Sequence, residues 1–253
     1  MFAEERLNEI LDLLSKDGKI LVKDLSIRFN VTEGMIRKDL QKLEKDGAIK
    51  RTYGGAILKR NIAESTSISN RLIKNLESKR IIAEKAFDLI EENDTIFLDV
   101  SSINFVLAEL IASSTKKFTV ITNMVEITSV FNDSSNVNII CIGGTYNKSL
   151  GGIIGSEAIE SIRRYRVNKA FMGSCGINLS DRTISNFDLE EGNTKKAIMS
   201  SARTVYILIE NEKFNIDGTY KFADLDDIDY IITEEKPASK IYEAIKKFNI
   251  KLI

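Results

Sequence analysis

From residue 95 onward one alternation recurs: short continuous apolar runs separated by longer stretches with helical spacing. The runs fall at 95–98, 118–122, 137–142, 169–172, 205–209 and 230–233, and the helical stretches at 104–112, 124–131, 156–165, 189–202 and 238–248, with a longer helix over 76–92 ahead of them. Runs that are apolar throughout belong to strands buried on both faces. Alternation with helices therefore predicts a mainly parallel sheet covered on either side. In such sheets ligands sit beyond the carboxyl ends of the strands, so the residues just after each run are candidates for a site.

The first 58 residues follow a different period. Leu7, Ile10, Leu11 and Leu14 form one helical face closed at Asp17-Gly18. After the apolar link Ile20-Leu21-Val22, Leu25 and Phe29 mark a short second helix ending near Asn30. Thr32 fits an N-cap with Glu33 in the first turn, and Ile36, Leu40 and Leu43 give a third helix its buried stripe up to Asp46-Gly47. Only Asn30 and Val31 separate the second helix from this cap, the tight spacing of a helix-turn-helix, here over about 20–45. Opposite the stripe, the third helix carries Gly34, Arg37, Lys38, Gln41 and Lys45, a face able to donate to guanine and pair with adenine in a major groove. A short strand at 48–51, the turn Thr52-Tyr53-Gly54-Gly55-Ala56 and a further strand read as a wing over about 48–58, with Arg51, Thr52 and Tyr53 as phosphate donors and two glycines permitting close backbone approach. Residues 59–74 show no strong apolar period and read as a linker to an α/β domain over 75–253.

Charge supports this division. The net charge is −1, yet residues 34–60 hold 8 Lys or Arg against 3 Asp or Glu, a local basic patch on an acidic chain. No apolar run approaches the roughly 20 residues of a membrane span, and the acidic N-terminus lacks the pattern of a signal peptide, so a cytoplasmic location is expected. Cys141 and Cys175 lack C-x-x-C spacing, and the absence of histidine removes the commonest metal ligand and general base. No catalytic set, metal or cofactor is expected.

The segments 29–40, 43–47 and 51–56, in this order and spacing, resemble the recognition helix and wing of the DeoR family of sugar-metabolism repressors, and the resemblance extends over essentially the whole chain. Met35 and Tyr53 stand where that family usually has Thr and His. The resemblance implies a sensor domain sharing its fold with ribose-5-phosphate isomerase and CoA transferase, with Asp99, Ser101, Ser102, Asn123, Gly143, Gly144, Gly173 and Lys213 lining an effector pocket and Lys213 holding a phosphate. The family's Gly-Thr-Thr phosphate cradle is altered to Val100-Ser101-Ser102-Ile103, which restricts the backbone and removes a hydroxyl donor. Ser101 and Ser102 equally fit a cap on the following helix, and Gly143-Gly144 a plain turn.

The function implied is sequence-specific repression of carbohydrate genes through double-stranded operator DNA, relieved by a phosphorylated sugar or related metabolite. A dimer or tetramer is expected, because one helix-turn-helix reads only a short half-site. Two alternatives stand beside it: a regulator whose pocket has decayed, and an isomerase or deaminase using Asp99 or Glu190. The loop Gly173-Ser174-Cys175-Gly176, without an acid, argues against the enzyme.

Overall fold

The computed structural model describes residues 2–58, 60–63, 66–131 and 136–253. Lys59, at the head of the expected linker, and Glu64 and Ser65 within it lie outside the described residues, as does Met1. The chain divides into two units, one of residues up to 61 with 237–244, the other of 62–236 with 245–253.

In the first unit the order is α1 (Ala3–Asp17), β1 (Lys19–Leu21), α2 (Val22–Phe29), α3 (Glu33–Lys45), β2 (Ile49–Thr52) and β3 (Gly55–Leu58). The apolar stripes of the three helices meet in one core, where Leu7, Ile10 and Leu14 pack with Leu25, Phe29, Ile36, Leu40 and Leu43. Left-handed residues stop the first two helices: Gly18 (φ 62°) returns its N–H to Leu14 O at 2.6 Å, and Asn30 (φ 52°) ends α2. Thr32 Oγ1 accepts from Met35 N at 3.3 Å and starts α3, as its sequence position predicts. The apolar link at 20–22 proves to be more than a link, because β1 pairs antiparallel with β3 and completes a three-stranded wing sheet of order β1-β3-β2.

From residue 61 the elements are β4 (Asn61–Ile62), α4 (Ile68–Ile73), α5 (Leu76–Asp88), β5 (Thr95–Leu98), α6 (Ser102–Ala112), β6 (Phe118–Thr122), α7 (Val125–Thr128), β7 (Val137–Cys141), β8 (Thr145–Asn147), β9 (Gly152–Ile154), α8 (Ser156–Ile162), β10 (Val167–Gly173), β11 (Gly176–Asn178), β12 (Thr183–Asn186), α9 (Leu189–Ser201), β13 (Ala202–Leu208), β14 (Ile216–Asp217), β15 (Tyr220–Asp224), β16 (Tyr230–Ile232), α10 (Ser239–Ile245) and β17 (Lys251–Leu252). Among the described residues seven strands form one parallel sheet in the order β17-β16-β13-β10-β5-β6-β7. Each run predicted as a strand is in it. Ile96, Leu98, Val120, Phe171 and Leu208 from the sheet pack with Ile82, Ala86, Leu107 and Ile111 from α5 and α6.

Two expectations need correction. The stretch read as a linker contains α4, whose Ile68 is buried in the core of the second unit. The helix expected over 124–131 is only α7, and the chain after β7 and after β10 also forms a hairpin (β8 with β9) and a small antiparallel sheet, β11-β12-β15. These strands are too short and too polar to show a period-two pattern. Buried Ser185 in β12, for example, is satisfied by donating to Gly176 O at 3.3 Å rather than by apolar packing.

The strand order fixes where a ligand fits. From β5 the chain winds one way through β6 and β7, then returns to the other side of β5 as β10 and winds outward through β13, β16 and β17. The switch point lies between β5 and β10, and the loops leaving their carboxyl ends diverge there to leave a crevice.

Candidate nucleic-acid interface and effector cavity

In the first unit, α3 presents Gly34, Arg37, Lys38, Gln41 and Lys45 on its exposed side, opposite the buried Ile36, Leu40 and Leu43. Its placement rests on a buried ion pair that sequence reasoning missed. Arg6 of α1 donates Nε to Asp39 Oδ2 at 2.7 Å and Nη2 to Oδ1 at 3.2 Å, a two-point clasp between α1 and the inner side of α3. The hydrogen bond that Arg6 donates to Asp39 holds its guanidinium above its usual pKa, against the opposing effect of burial. Arg37 pairs with Glu33 at 2.6 Å, but both are exposed, so the pair is weak and Arg37 is free to exchange it for another acceptor.

The wing is tied to the same helix. Glu44 accepts from Arg51 N at 2.9 Å and from Arg51 Nε at 2.6 Å, and these bonds hold the Glu44 carboxyl below the usual carboxylate range. Thr52 pairs with Gly55 across a two-residue turn, where Tyr53 is fully exposed and Gly54 takes φ 77°. The two glycines differ. Gly54 supplies the left-handed turn, whereas Gly55 is buried and a Cβ there would lie 2.0 Å from Ile20 O. Gly55 thus lets β1 and β3 approach each other, a packing reason in place of the phosphate approach expected of it.

In the second unit, the switch point opens into a cavity of about 640 Å³. Val100, Ser101, Ser102 and Ile103 enter from the end of β5, Gly173, Ser174 and Cys175 from β10, and Ile209, Glu210 and Lys213 from beyond β13. Of the residues expected at a pocket, Ser101, Ser102, Gly173 and Lys213 line it. Ser101 Oγ accepts from Ile103 N at 3.2 Å, so the serine also caps α6, and Lys213 lies 3.2 Å from Glu212. Asp99 is wholly buried beneath the cavity. Asn123, Gly143 and Gly144 follow β6 and β7, on the far side of β5 from the switch point, and are not among the lining residues. Asn123 is buried with its amide donating to Ile153 O at 2.9 Å, and Gly143 and Gly144 are exposed.

Beneath and beside the cavity lies a charge cluster legible in the sequence only at Asp99. Asp99 Oδ1 accepts from Asn104 Nδ2 at 2.7 Å and Gly173 N at 2.9 Å, while Oδ2 pairs with Lys195 Nζ. Lys195 also donates to Gly173 O at 3.0 Å and lies 3.6 Å from Glu191. Burial pushes the Lys195 ammonium toward neutrality, and Asp99 and Glu191 overcome it, holding the pKa above the ordinary lysine value. Glu191 goes the other way, since burial raises its carboxyl above the usual range despite Lys195. One residue earlier, Glu190, the acid weighed for catalysis, is exposed. Helix α9 is buried around most of its circumference, including Glu191, Thr194 and Lys195, so it has no apolar stripe to reveal these positions. The i, i+4 spacing of Glu191 and Lys195 is the signal available in the sequence, and it reads equally as an exposed surface pair.

Two family profiles match the chain: the DeoR-like helix-turn-helix domain over residues 6–61 and the DeoR C terminal sensor domain over 74–235. The HTH-type transcriptional repressor GlcR of Bacillus subtilis is 32% identical over 253 residues, spanning 100% of this chain and 96% of that protein. The lactose phosphotransferase system repressor of Lactococcus lactis subsp. lactis is 31% identical over 251 residues, 98% of this chain and 97% of its own. Among solved structures, ribose 5 phosphate isomerase A from Neisseria gonorrhoeae is similar over 59% of this chain and 55% of that one, at 14% identity and a TM-score of 0.39. Among the described residues no helix is long and apolar enough to cross a membrane.

Proposed function

Because the chain belongs to the DeoR family and is a DNA-binding transcriptional regulator rather than an enzyme, we propose that it represses carbohydrate-metabolism genes and releases its operator when a phosphorylated sugar or related metabolite fills the switch-point cavity. The observation that carries this reading is the cavity itself. It is of a size for a small metabolite and bordered by Arg71, Lys79, Lys195 and Lys213, with serine hydroxyls at one wall. Relatives named as repressors, one of them of a lactose phosphotransferase system, support the sign and the substrate class.

On this reading Arg37, Lys38, Gln41 and Lys45 enter the major groove behind Gly34. Thr32, Arg51, Thr52, Tyr53 and Gly54 meet the backbone from the helix start and the wing. Two heads are needed to read a site of useful length, so a homodimer or homotetramer is part of the proposal. The altered cradle favours a second reading, a regulator that no longer senses a ligand, since Ser101 Oγ is engaged in capping α6.

Binding to a labelled fragment from upstream of the protein's own gene, against random DNA and across a salt series, tests the DNA half. Arg37→Ala is expected to cost about 1–3 kcal/mol of operator affinity and relax specificity, and Arg51→Ala to weaken all sequences alike and lower the salt slope by about 1. Wild-type affinity in both variants would refute the assignment. Thermal shift with sugar phosphates tests the sensing half: stabilisation by one compound supports it, and silence across the panel supports the second reading.

A further inference from the structure

The segment between the wing and α5 supplies one wall of the cavity, through Asn70, Arg71, Lys74 and Asn75. It is docked by specific bonds. Arg71 Nη2 donates to Leu150 O at 2.6 Å, Lys79 Nζ binds the carbonyls of Arg71 and Lys74, and Asn75 Nδ2 donates to Glu210 Oε1 at 2.5 Å. Ile68 anchors the other end of α4 in the core, with its N–H on Ser149 O at 3.1 Å. So short a helix has no stability of its own and keeps its shape through these attachments.

Two polar atoms of the cavity lining are left over. Among the described residues, Arg71 Nε and Ser174 Oγ are buried and have no hydrogen-bond partner. One belongs to α4, the other to the loop after β10. Both are donors, and a buried donor without an acceptor costs about 1–3 kcal/mol, relieved by anything that brings an acceptor. Burial weighs against the Arg71 charge, with Glu191 first among the groups that oppose this effect. The Asp99 carboxylate is already engaged by Lys195, Asn104 and Gly173, and Glu191 lies beside Lys195. A guanidinium with Nη2 committed to Leu150 O and Nε open matches an anionic oxygen, which a charge-assisted bond would hold.

We propose that Arg71 Nε–H and the Ser174 hydroxyl bind an anionic oxygen of the effector, and that this contact makes α4 the element through which effector occupancy is transmitted toward the wing. The inference rests on reading the cavity as an effector site. Nine residues separate the end of β3 from the start of α4, so a ligand held by Arg71 is held by the segment that leads directly from the DNA-binding unit. A ligand shifts a conformational equilibrium only by binding one state better, and a contact on the connecting segment gives it that difference.

The test uses the full-length protein with fructose 1-phosphate, glucose 6-phosphate and glycerol 3-phosphate, each beside its unphosphorylated counterpart. Melting shift reads binding, and release of a labelled operator reads transmission. For the compound that stabilises wild type, Arg71→Ala is expected to raise Kd at least tenfold and to reduce operator release at saturating compound. Ser174→Ala is expected to raise Kd about threefold. Arg71→Lys keeps the charge but lacks Nε and is expected to fall between them, which covers the case in which the alanine variant folds poorly. Wild-type Kd in Arg71→Ala or Arg71→Lys overturns the binding role while leaving the cavity an effector site. Weakened binding with full operator release at saturation overturns the role of α4. If no compound stabilises wild type, the effector reading itself fails and this proposal with it.

Discussion

Replacing Lys195 with Met would remove the cation that pairs directly with two buried carboxylates. Lys195 and Asp99 have side chains only 4% and 1% exposed, and Glu191 is nearly as buried, so solvent would compensate little of the lost charge. Asp99 would keep its bonds from Asn104 and Gly173, whereas Glu191 would lose its nearest cation. Breaking one side of such a pair costs about 3–5 kcal/mol. For a domain of this size each kcal/mol lowers the melting point by about 2–4 °C, so the sensor unit should melt roughly 6–20 °C earlier at pH 7. Differential scanning calorimetry reads this directly. The double variant Lys195→Met/Asp99→Asn should recover part of the loss, because asparagine keeps the acceptor for Gly173 N and removes one stranded charge. A single variant that melts within 2 °C of wild type, or a double variant no better than the single, would refute the electrostatic account of this cluster.

Glu191→Gln should have little effect on the melting point below pH 4.3 and increasingly stabilise the sensor unit as pH rises. A carboxyl whose folded pKa is raised contributes stability present below its unfolded pKa of about 4.3 and lost as pH climbs through the folded value; a pH-independent difference in calorimetry would contradict it. Asp39→Ala strands Arg6 and should destabilise the DNA-binding unit by about 3 kcal/mol, near the low end for a buried pair because both side chains keep some exposure. Chemical denaturation followed by circular dichroism would show this as a lower midpoint with unchanged slope, and an unchanged midpoint would mean that the clasp carries no stability. Cys175, its thiol pushed up to about 12 by burial, should resist iodoacetamide at pH 8 while the exposed Cys141 reacts. Only about one thiol in ten thousand would be ionised at that pH, and peptide mass spectrometry showing equal labelling would overturn the prediction.

What could be read from the sequence was whatever a single period encodes. Residues 95–98 and 118–122 declare strands because their burial on both faces demands unbroken apolar runs, and Ile36, Leu40 and Leu43 declare a helix because one side faces a core. The exposed face of α3 follows from the same stripe by subtraction. The cavity was different, since its walls come from segments far apart in the chain whose polar residues are buried for each other's sake. Lys195 looks like any helix-surface lysine until Asp99, from a strand end nearly a hundred residues earlier, is placed against it. Strand order then decides which loops share the crevice. Asn123, Gly143 and Gly144 follow strands as Ser101 and Gly173 do, yet β6 and β7 lie outward of the switch point and carry them away from it. Arg71 is the sharpest case. Its segment lacks a strong apolar period because a six-residue helix held by Leu150 O, Lys79 and Asn75 needs only Ile68 and, partly buried, Leu72 against the core. The polar residues Thr66, Asn70, Arg71 and Lys74, which helped 59–74 read as a linker, thus line a cavity, and the same residues can serve as both.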